Sequence, residues 1–339
     1  MIPYFLYFFL SVSLLLANKK FIPILYSLIW FIFVGLRDGI GTDYYGTLRS
    51  VKRSYIDIEN PLNSLTGYNF VDAEILYKII SSFFYYSELD IIGFHILIAA
   101  IQALLIFFLL KKIRHKKLLV FYFVSLFTLH FPMNAQRQGL SLLFLIFGLN
   151  YFDSKKVKRV ILIFLSLISH YASIPLILLS SIKIKNRKKV ILASVFLFFI
   201  FYYLIDLIML RWPTSASAGY ENEGLGIKLI VGALLLLMIN YGVIEKRFWR
   251  KENIIIIALL IATYLYGPFG RYYHFYAHFI LFSNLFVISN RRISGNNLLL
   301  LLSYPLLYSF TVWHEISRFV PFNGGGLWLP YKNLLFELL

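Results

Sequence analysis

Residues 129–140 read Leu-His-Phe-Pro-Met-Asn-Ala-Gln-Arg-Gln-Gly-Leu, a polar break between two apolar segments. The segment before the break ends near Phe131, and the next apolar segment begins at Gln138. An arginine between two membrane spans costs several kcal/mol unless it is paired or hydrated. Because Arg137 stands at this break, we interpret it as the anion-binding centre of a membrane-embedded site, and we order the rest of the chain around it.

The composition is that of a polytopic membrane protein. Of the 339 residues, 60% are hydrophobic and only 14% are charged, whereas a soluble domain is about 45–50% apolar and about 25% charged. The absence of cysteine excludes disulfides, thiolate metal sites and cysteine nucleophiles. A net charge of +17 would suggest nucleic-acid binding in a soluble protein, but 22 of the 33 Lys and Arg residues lie in six short loops between apolar segments. We therefore interpret the charge as a topology signal and expect no nucleic-acid partner.

Ten apolar segments approach the roughly 20 residues that a membrane-spanning helix needs. They are Ile2–Ala17, Phe21–Leu36, Ile91–Leu110, Leu118–Phe131, Gln138–Phe152, Val190–Leu210, Leu225–Ile244, Ile254–Gly267, Tyr272–Ile288 and Leu298–Val312. Several are short, which predicts tilted helices or a locally thinned bilayer. The six basic loops are expected to face the cytoplasm, which places both termini outside.

Val160–Ile182 is predicted to form a re-entrant hairpin of two short helices that turn near His170. Its 23 residues are also long enough to cross once, but one crossing would place Lys183–Lys189 and every later basic loop outside. Non-helical backbone at that depth is tolerated where it lines a hydrated cavity or is buried in protein. The predicted fold class is therefore all-α, a polytopic membrane protein with about ten full spans plus this hairpin.

We predict one transmembrane domain over residues 1–339 with three external parts. The first, residues 37–90, contains a predicted amphipathic helix over Phe70–Tyr86 on the outer interface, because its apolar positions recur at helical spacing. The other two are the loop 211–224 and the C-terminal tail 313–339.

Four basic or titratable side chains recur at the outer ends of the predicted helices: Arg37, Arg137, His170 and Arg271. Guanidinium groups that converge in a low-dielectric cavity suit a diphosphate, because the planar fork pairs with phosphate oxygens at two positions. The alternative for each arginine is snorkelling or pairing with a nearby carboxylate. For Arg137 and Arg271 we favour a functional role over snorkelling or ion pairing. For His170 a functional role and a structural role are equally favoured.

Asp43 and Glu74 are the candidate acids of the external region. Either carboxylate could remove a proton from a sugar hydroxyl, and partial burial would raise its pKa toward that task. The structural alternative is a helix cap or an ion pair with Arg37 or Lys78. The other histidines lack the spacing of metal ligands, so we predict neither a metal site nor a cofactor.

Short motifs follow one another along most of the chain, and as an ordered set they are more specific than any one alone. They are Gly35-Leu36-Arg37, Gly41-Thr42-Asp43-Tyr44-Tyr45, Glu74 before an apolar helix, Asn134 with Arg137-Gln138, Ser169-His170-Tyr171-Ala172-Ser173, Gly270-Arg271-Tyr272-Tyr273 and Pro330-Tyr331-Lys332-Asn333. This set resembles the EpsG-like branch of the Wzy-type O-antigen and capsular polysaccharide repeat-unit polymerases.

The resemblance implies a GT-C-like membrane glycosyltransferase in a bacterial inner membrane, with its active site facing the periplasm or exterior. Such enzymes transfer a growing glycan from undecaprenyl diphosphate to the non-reducing end of another lipid-linked repeat, independently of metal. The expected partners are the lipid-linked donor and acceptor, the bilayer and a chain-length regulator protein. The alternatives are an O-antigen ligase-type transferase, a flippase or exporter of lipid-linked oligosaccharide, and a scaffold within a polysaccharide complex.

The hypothesis gives each candidate residue a role. Arg137 and Arg271 bind the donor diphosphate and stabilise it as the leaving group, and Arg37 assists them or holds the acceptor diphosphate. Glu74 is the base that activates the acceptor hydroxyl, with His170 and Asp43 as rivals. The predicted glycan contacts are Tyr44, Tyr45, Asn134, Gln138 and Tyr272.

Overall fold

The computed structural model of the protein describes residues 2–38, 55–57, 59, 74–87, 91–128, 136–151, 156–170, 173–174, 176–177, 227–244, 251–265, 269–288, 293–317, 321–322, 325–326 and 332–333. Over these residues the protein is helical apart from four strands of two residues each. The chain divides into two compact units, Met1–Ile174 with Tyr308–Leu339, and Pro175–Leu307.

The first unit contains seven of the described helices, two of which continue into π-helical turns. They are α1 (Ile2–Ser13), α2 (Ile22–Gly35), α3 (Ile75–Tyr86), α4 (Ile91–Lys112), α5 (Lys116–Tyr122), α6 (Gln136–Ile146) and α7 (Lys156–Ser169). The π-helical turns Phe123–Phe127 and Phe147–Tyr151 extend α5 and α6. The strands β1 (Arg37–Asp38), β2 (Pro321–Phe322), β3 (Gly325–Gly326) and β4 (Lys332–Asn333) also belong to this unit.

The second unit contains α8 (Ile227–Ile239), extended by the π-helical turn Asn240–Ile244, and α9 (Lys251–Leu265) and α10 (Phe269–Ile288). The last helix, α11 (Gly295–Ser317), begins in the second unit and ends in the first, since the boundary follows Leu307.

The predicted apolar segments coincide with helices wherever the structure describes them. Ile91–Leu110, for example, becomes α4, which ends two residues later at Lys112; Val190–Leu210 lies outside the described residues. Within the described part of the chain, one helix, Ile92–Lys112, is long and apolar enough to cross a membrane, and five shorter apolar helices accompany it. Large apolar side chains such as Phe9 and Ile24 are exposed, as expected of helices that face lipid. The number of spans stays a prediction.

Buried hydroxyl groups connect α1, α2 and the end of α5 in the first unit. Trp30 Nε1 donates a hydrogen bond to Thr128 Oγ1 at 3.0 Å, and the Tyr7 hydroxyl lies 2.9 Å from both Thr128 Oγ1 and the Tyr26 hydroxyl. All four side chains are buried. Because buried polar groups are stable only when hydrogen-bonded, these contacts fix how the three helices pack.

A chain of buried asparagines connects the helices of the second unit. Asn284 Nδ2 donates to Asn240 Oδ1 at 2.7 Å, and Asn240 Nδ2 donates to Asn253 Oδ1 at 2.8 Å. The amides thereby join α10, the turn after α8, and α9. Burying an amide in an apolar interior costs free energy unless it is hydrogen-bonded. These bonds therefore fix how the helices of this unit are aligned with one another.

Two features bring the first unit's polar residues together. Gly35 lies at the close approach of α2 to α4, where a Cβ atom would come within 3.0 Å of Ala99 Cβ. Directly after it, β1 pairs antiparallel with β4, so that Arg37 faces Asn333 and Asp38 faces Lys332. The tail strand β4 therefore lies beside Arg37, one of the predicted anion-binding residues.

The helix predicted over Phe70–Tyr86 is observed as α3, from Ile75 to Tyr86; residues 70–73 lie outside the described chain. Tyr77, Lys78, Ser81 and Phe84 are buried on one face, and Phe83 on the other is 58% exposed. The helix packs against α4 and α7. The helix itself is therefore observed, and its amphipathic position on the outer interface stays a prediction.

The helix α7 ends at Ser169, one residue before His170. The predicted hairpin has its turn at this place, and the His170 backbone N–H donates the last helical bond, to the Ser166 carbonyl. Most residues of the expected second arm lie beyond the described ranges, so the hairpin itself stays a prediction.

Candidate active site

The site is built around Glu74, which occupies the N-cap position of α3. Its backbone is extended, with φ −71° and ψ 157°, and its side chain makes no capping bond with the helix. The residue is only 5% exposed although it carries a carboxylate. A buried carboxylate requires partners, and these come from two other helices.

Arg137 and His170 are the partners of Glu74. Arg137 Nη1 donates to Glu74 Oε2 at 2.8 Å, and His170 Nδ1 donates to Glu74 Oε1 in a short hydrogen bond. The first partner lies in the first turn of α6 and the second directly follows α7. One carboxylate thus joins two residues that the sequence separates from it by 63 and 96 positions. We call Glu74, Arg137 and His170 the triad.

The triad fixes the protonation of its members. An ionised carboxylate only accepts hydrogen bonds, so the proton of the shared bond is on His170 Nδ1. In the neutral ring this leaves Nε2 as a free acceptor. The side chain of Arg137 is 35% exposed and that of His170 is 16% exposed, so both are accessible to a ligand while Glu74 is enclosed.

The charges around Glu74 lower its pKa. Burial raises the pKa of this carboxyl, but the charge that His170 carries when protonated, its hydrogen bond, and then the charge of Arg137 outweigh burial and bring the pKa to about 2 from 4.5. The expectation of a raised pKa for Glu74 is therefore wrong, because burial came with two partners that stabilise the carboxylate. Glu74 is an ionised anchor, and a carboxylate of so low a pKa is a weak base.

This pKa predicts how stability depends on pH. Because the folded pKa of Glu74 lies below the unfolded value, its contribution is fully present above about pH 4.5 and is lost as the pH falls toward 2. The full contribution is about 3 kcal/mol. We expect the difference in melting temperature between wild type and Glu74→Gln to shrink as the pH falls from about 4.5 toward 2. If the difference in melting temperature, measured in detergent, stayed unchanged down to about pH 2.5, the assignment of Glu74 as an ionised carboxylate would be wrong.

Residues of α4 hold the start of α6, from which Arg137 projects. His95 Nδ1 lies 3.1 Å from Gln136 Oε1, and Gln102 Nε2 donates to the Gln136 backbone carbonyl at 3.2 Å. All three side chains are at most 3% exposed. The residue next to Arg137 is thus fixed through both its side chain and its backbone.

Two further cations are buried in the same unit. Arg37, 2% exposed, interacts electrostatically with His95, which in turn contacts the residue beside Arg137. Lys78, 1% exposed, lies one helical turn after Glu74 on α3. Both carboxylate oxygens of Glu74 bind the triad partners.

The remaining predicted residues are placed only in part. Gln138 is half-buried on α6, one residue after Arg137. Arg271 and Tyr272 lie in the first turn of α10, in the second unit, and their side chains are outside the described structure. The other predicted site residues lie outside the described part of the chain; they are Asp43, Tyr44, Tyr45 and Asn134. The convergence of Arg271 with Arg37 and Arg137 therefore stays a prediction.

Sequence reasoning gave no place in the site to the residues that support the triad, which are His95, Gln102 and Gln136. A signal was present, because His95 and Gln102 are seven residues apart and thus lie on one face of an otherwise apolar helix. Among the described residues, no three His, Asp or Glu side chains are grouped as metal ligands.

The comparison with known protein families matches residues 19–333 to the EpsG family. The match covers far more than half of the chain and includes all three residues of the triad. No curated protein and no solved structure matches. This family indicates a polysaccharide polymerase-type function and an integral membrane protein. The resemblance seen in the ordered motifs is confirmed: the chain belongs to the EpsG family.

Proposed function

We propose that this protein is a membrane glycosyltransferase that polymerises polysaccharide repeats. It takes a glycan from undecaprenyl diphosphate and transfers it to the non-reducing end of another lipid-linked repeat. The observation that carries the proposal is the single buried carboxylate of Glu74 bound to both His170 and Arg137. The three side chains combine a base, its orienting group and a cation for a phosphate leaving group.

His170 acts as the base. Its Nδ1–H is held by Glu74 Oε1, so Nε2 is oriented to accept the proton of the acceptor hydroxyl. The hydroxyl oxygen attacks the anomeric carbon of the donor sugar, and the bond from that carbon to the diphosphate oxygen breaks. Between His170 and Glu74 the geometry favours His170 as the base, with Glu74 as its orienting partner; Asp43 lies outside the described residues.

Arg137 binds the diphosphate and stabilises the negative charge that develops as it leaves. Its guanidinium carries five donors in a planar fork that matches phosphate oxygens, and its side chain is 35% exposed beside its bond to Glu74 Oε2. Glu74 neutralises the arginine until the donor is bound, which makes a cation at this depth tolerable. Guanidinium groups thereby perform the electrostatic task that Mg²⁺ performs in other phosphate sites.

Other predicted residues have roles in the same reaction. Arg37 assists Arg137 or holds the acceptor diphosphate, and Arg271 keeps the role in diphosphate binding that is predicted from the sequence. The sugar rings contact the predicted glycan set, of which Gln138 is next to Arg137. We place the site at the outer face of a bacterial inner membrane, in a GT-C-like architecture, because the basic loops are expected inside.

The test is a reconstitution with defined lipids. Purified protein in vesicles is incubated with synthetic undecaprenyl-diphosphate-linked repeat, with a chelator and without nucleotide sugar. We expect a ladder of products that differ by one repeat and that His170→Ala abolishes. Transfer only to an added lipid A core would indicate a ligase, and translocation without a new glycosidic bond would indicate a flippase; either result would overturn the proposal.

A further inference from the structure

A reciprocal pair of serines joins α6 to α7. Ser141 Oγ donates to the Ser166 carbonyl at 2.8 Å, and Ser166 Oγ donates to the Ser141 carbonyl at 2.8 Å. The two hydroxyl oxygens are 3.0 Å apart. Both residues have 0% exposure. The two helices are therefore joined at one point by bonds in both directions, in a position closed to water.

This point lies one helical turn from each of two triad residues. Ser141 follows Arg137 by four positions on α6, and Ser166 precedes His170 by four positions on α7. Residues four apart lie on the same face of a helix, one above the other. The serine pair therefore sits directly below the two side chains that Glu74 bridges.

The backbone carbonyl of His170 lies close to the same helix contact. Ser173 Oγ donates to the His170 carbonyl at 2.9 Å, and Ser141 Oγ lies 3.5 Å from that oxygen. The Ser173 backbone N–H donates to the same carbonyl at 3.2 Å. Ser173 thus fixes the His170 backbone directly after the end of α7.

The π-helical turn after α6 also approaches α7 closely, at Gly148. At Gly148 a Cβ atom would come within 3.1 Å of Leu162 Cβ and 3.4 Å of the Arg159 carbonyl. Small residues at a helix interface allow the backbones to approach, and this is how helices pack where lipid supplies no hydrophobic driving force. Because helices rise 1.5 Å per residue, a slide of α7 by one residue would break both serine bonds.

We propose that Ser141 and Ser166 are positioning residues for the transfer reaction. They hold α6 and α7 in the register at which Arg137 and His170 can bind the two oxygens of one Glu74 carboxylate. Neither serine touches the substrate. This inference rests on the proposed function for its kinetic consequence, and its geometric consequence can be measured without any reaction.

The kinetic test compares Ser141→Ala and Ser166→Ala with the wild type in vesicles. We expect kcat for repeat addition to fall by roughly 10- to 100-fold, since small displacements in a site have such effects. The double variant is expected to lose no more than either single variant, because the two hydroxyls form one interaction. The matched control is Ser169→Ala: this serine is equally buried on α7, but its hydroxyl bonds Leu165 of its own helix.

A disulfide between the two positions tests whether the register of the helices, and not the hydroxyl groups themselves, determines the activity. The chain has no cysteine, so in the variant S141C/S166C the only possible disulfide is between these two positions. We expect the reduced form to be impaired like the alanine variants and the oxidised form to regain kcat. Equal activity in the two redox forms, or equal losses in Ser169→Ala and Ser141→Ala, would overturn the proposal.

A spectroscopic readout distinguishes this inference from the proposed function. The ring-nitrogen NMR signals of His170, assigned by their absence in His170→Ala, report the bond to Glu74. They should move in Ser141→Ala and stay unchanged in Ser169→Ala. If they move while the wild type makes no polymer, the positioning role stands and the polymerase proposal falls. If they do not move in Ser141→Ala, the positioning role falls whatever the activity.

Discussion

Replacing Arg137 by alanine is expected to abolish polymer formation while the protein stays in the membrane. The guanidinium is the triad's contact for the leaving diphosphate, and its loss leaves Glu74 with His170 as a remaining partner. Loss of an arginine that stabilises a phosphate transition state lowers rates by about 10³-fold or more. The measurement is the rate of ladder formation in vesicles that contain equal amounts of folded protein.

Two variants control for charge and for folding. Arg137→Lys keeps the positive charge but loses the planar fork, so it should retain partial activity. Arg114→Ala removes an exposed arginine between α4 and α5, and it should behave like the wild type. Wild-type chain lengths in Arg137→Ala would refute the assignment of the diphosphate site to this residue.

Glu74→Gln is also expected to have a large effect, a loss of kcat without a loss of donor binding. The amide cannot supply the negative charge that stabilises a protonated His170, so kcat should fall by about 10²- to 10⁴-fold. Arg137 is then no longer neutralised by a carboxylate, so the donor should bind at least as tightly as before. The measurements are kcat from ladder formation and the dissociation constant for the lipid-linked donor.

The matched control is Glu59→Gln, an exposed glutamate of the same external region. It should leave both kcat and donor binding unchanged. A parallel loss of donor affinity in Glu74→Gln would show that the carboxylate contributes to donor binding, which is contrary to its role as the orienting partner of the base.

The sequence identified the members of the triad but not their contacts. Arg137 was prominent because a guanidinium between apolar segments is costly, Glu74 because it is an acid on a predicted external helix, and His170 because it stands at the predicted turn of the hairpin. The partners predicted for Glu74 were Arg37 and Lys78, whereas the observed ones are 63 and 96 residues away. Such contacts depend on the packing of α3 against α7 and on the start of α6, which hydrophobic periodicity does not specify.

The helices themselves were predicted well because apolar length alone requires them in a bilayer. Their ends were less predictable: α4 continues into Lys111 and Lys112, whose side chains extend from the apolar segment. The π-helical turns after α5, α6 and α8 have no sequence signature. The serine pair was missed because serine within a helix is usually neutral, and only the opposed backbones reveal its reciprocal bonds.

The pairing of Asp38 with Lys332 bears on how the protein is made. These residues are roughly 300 positions apart, so the ribosome completes the Arg37 segment long before its strand partner emerges. A nascent protein interrupted before residue 332 inserts its helices without closing this strand pair. The strand pair beside Arg37 can therefore close only after residues 332–333 have been synthesised.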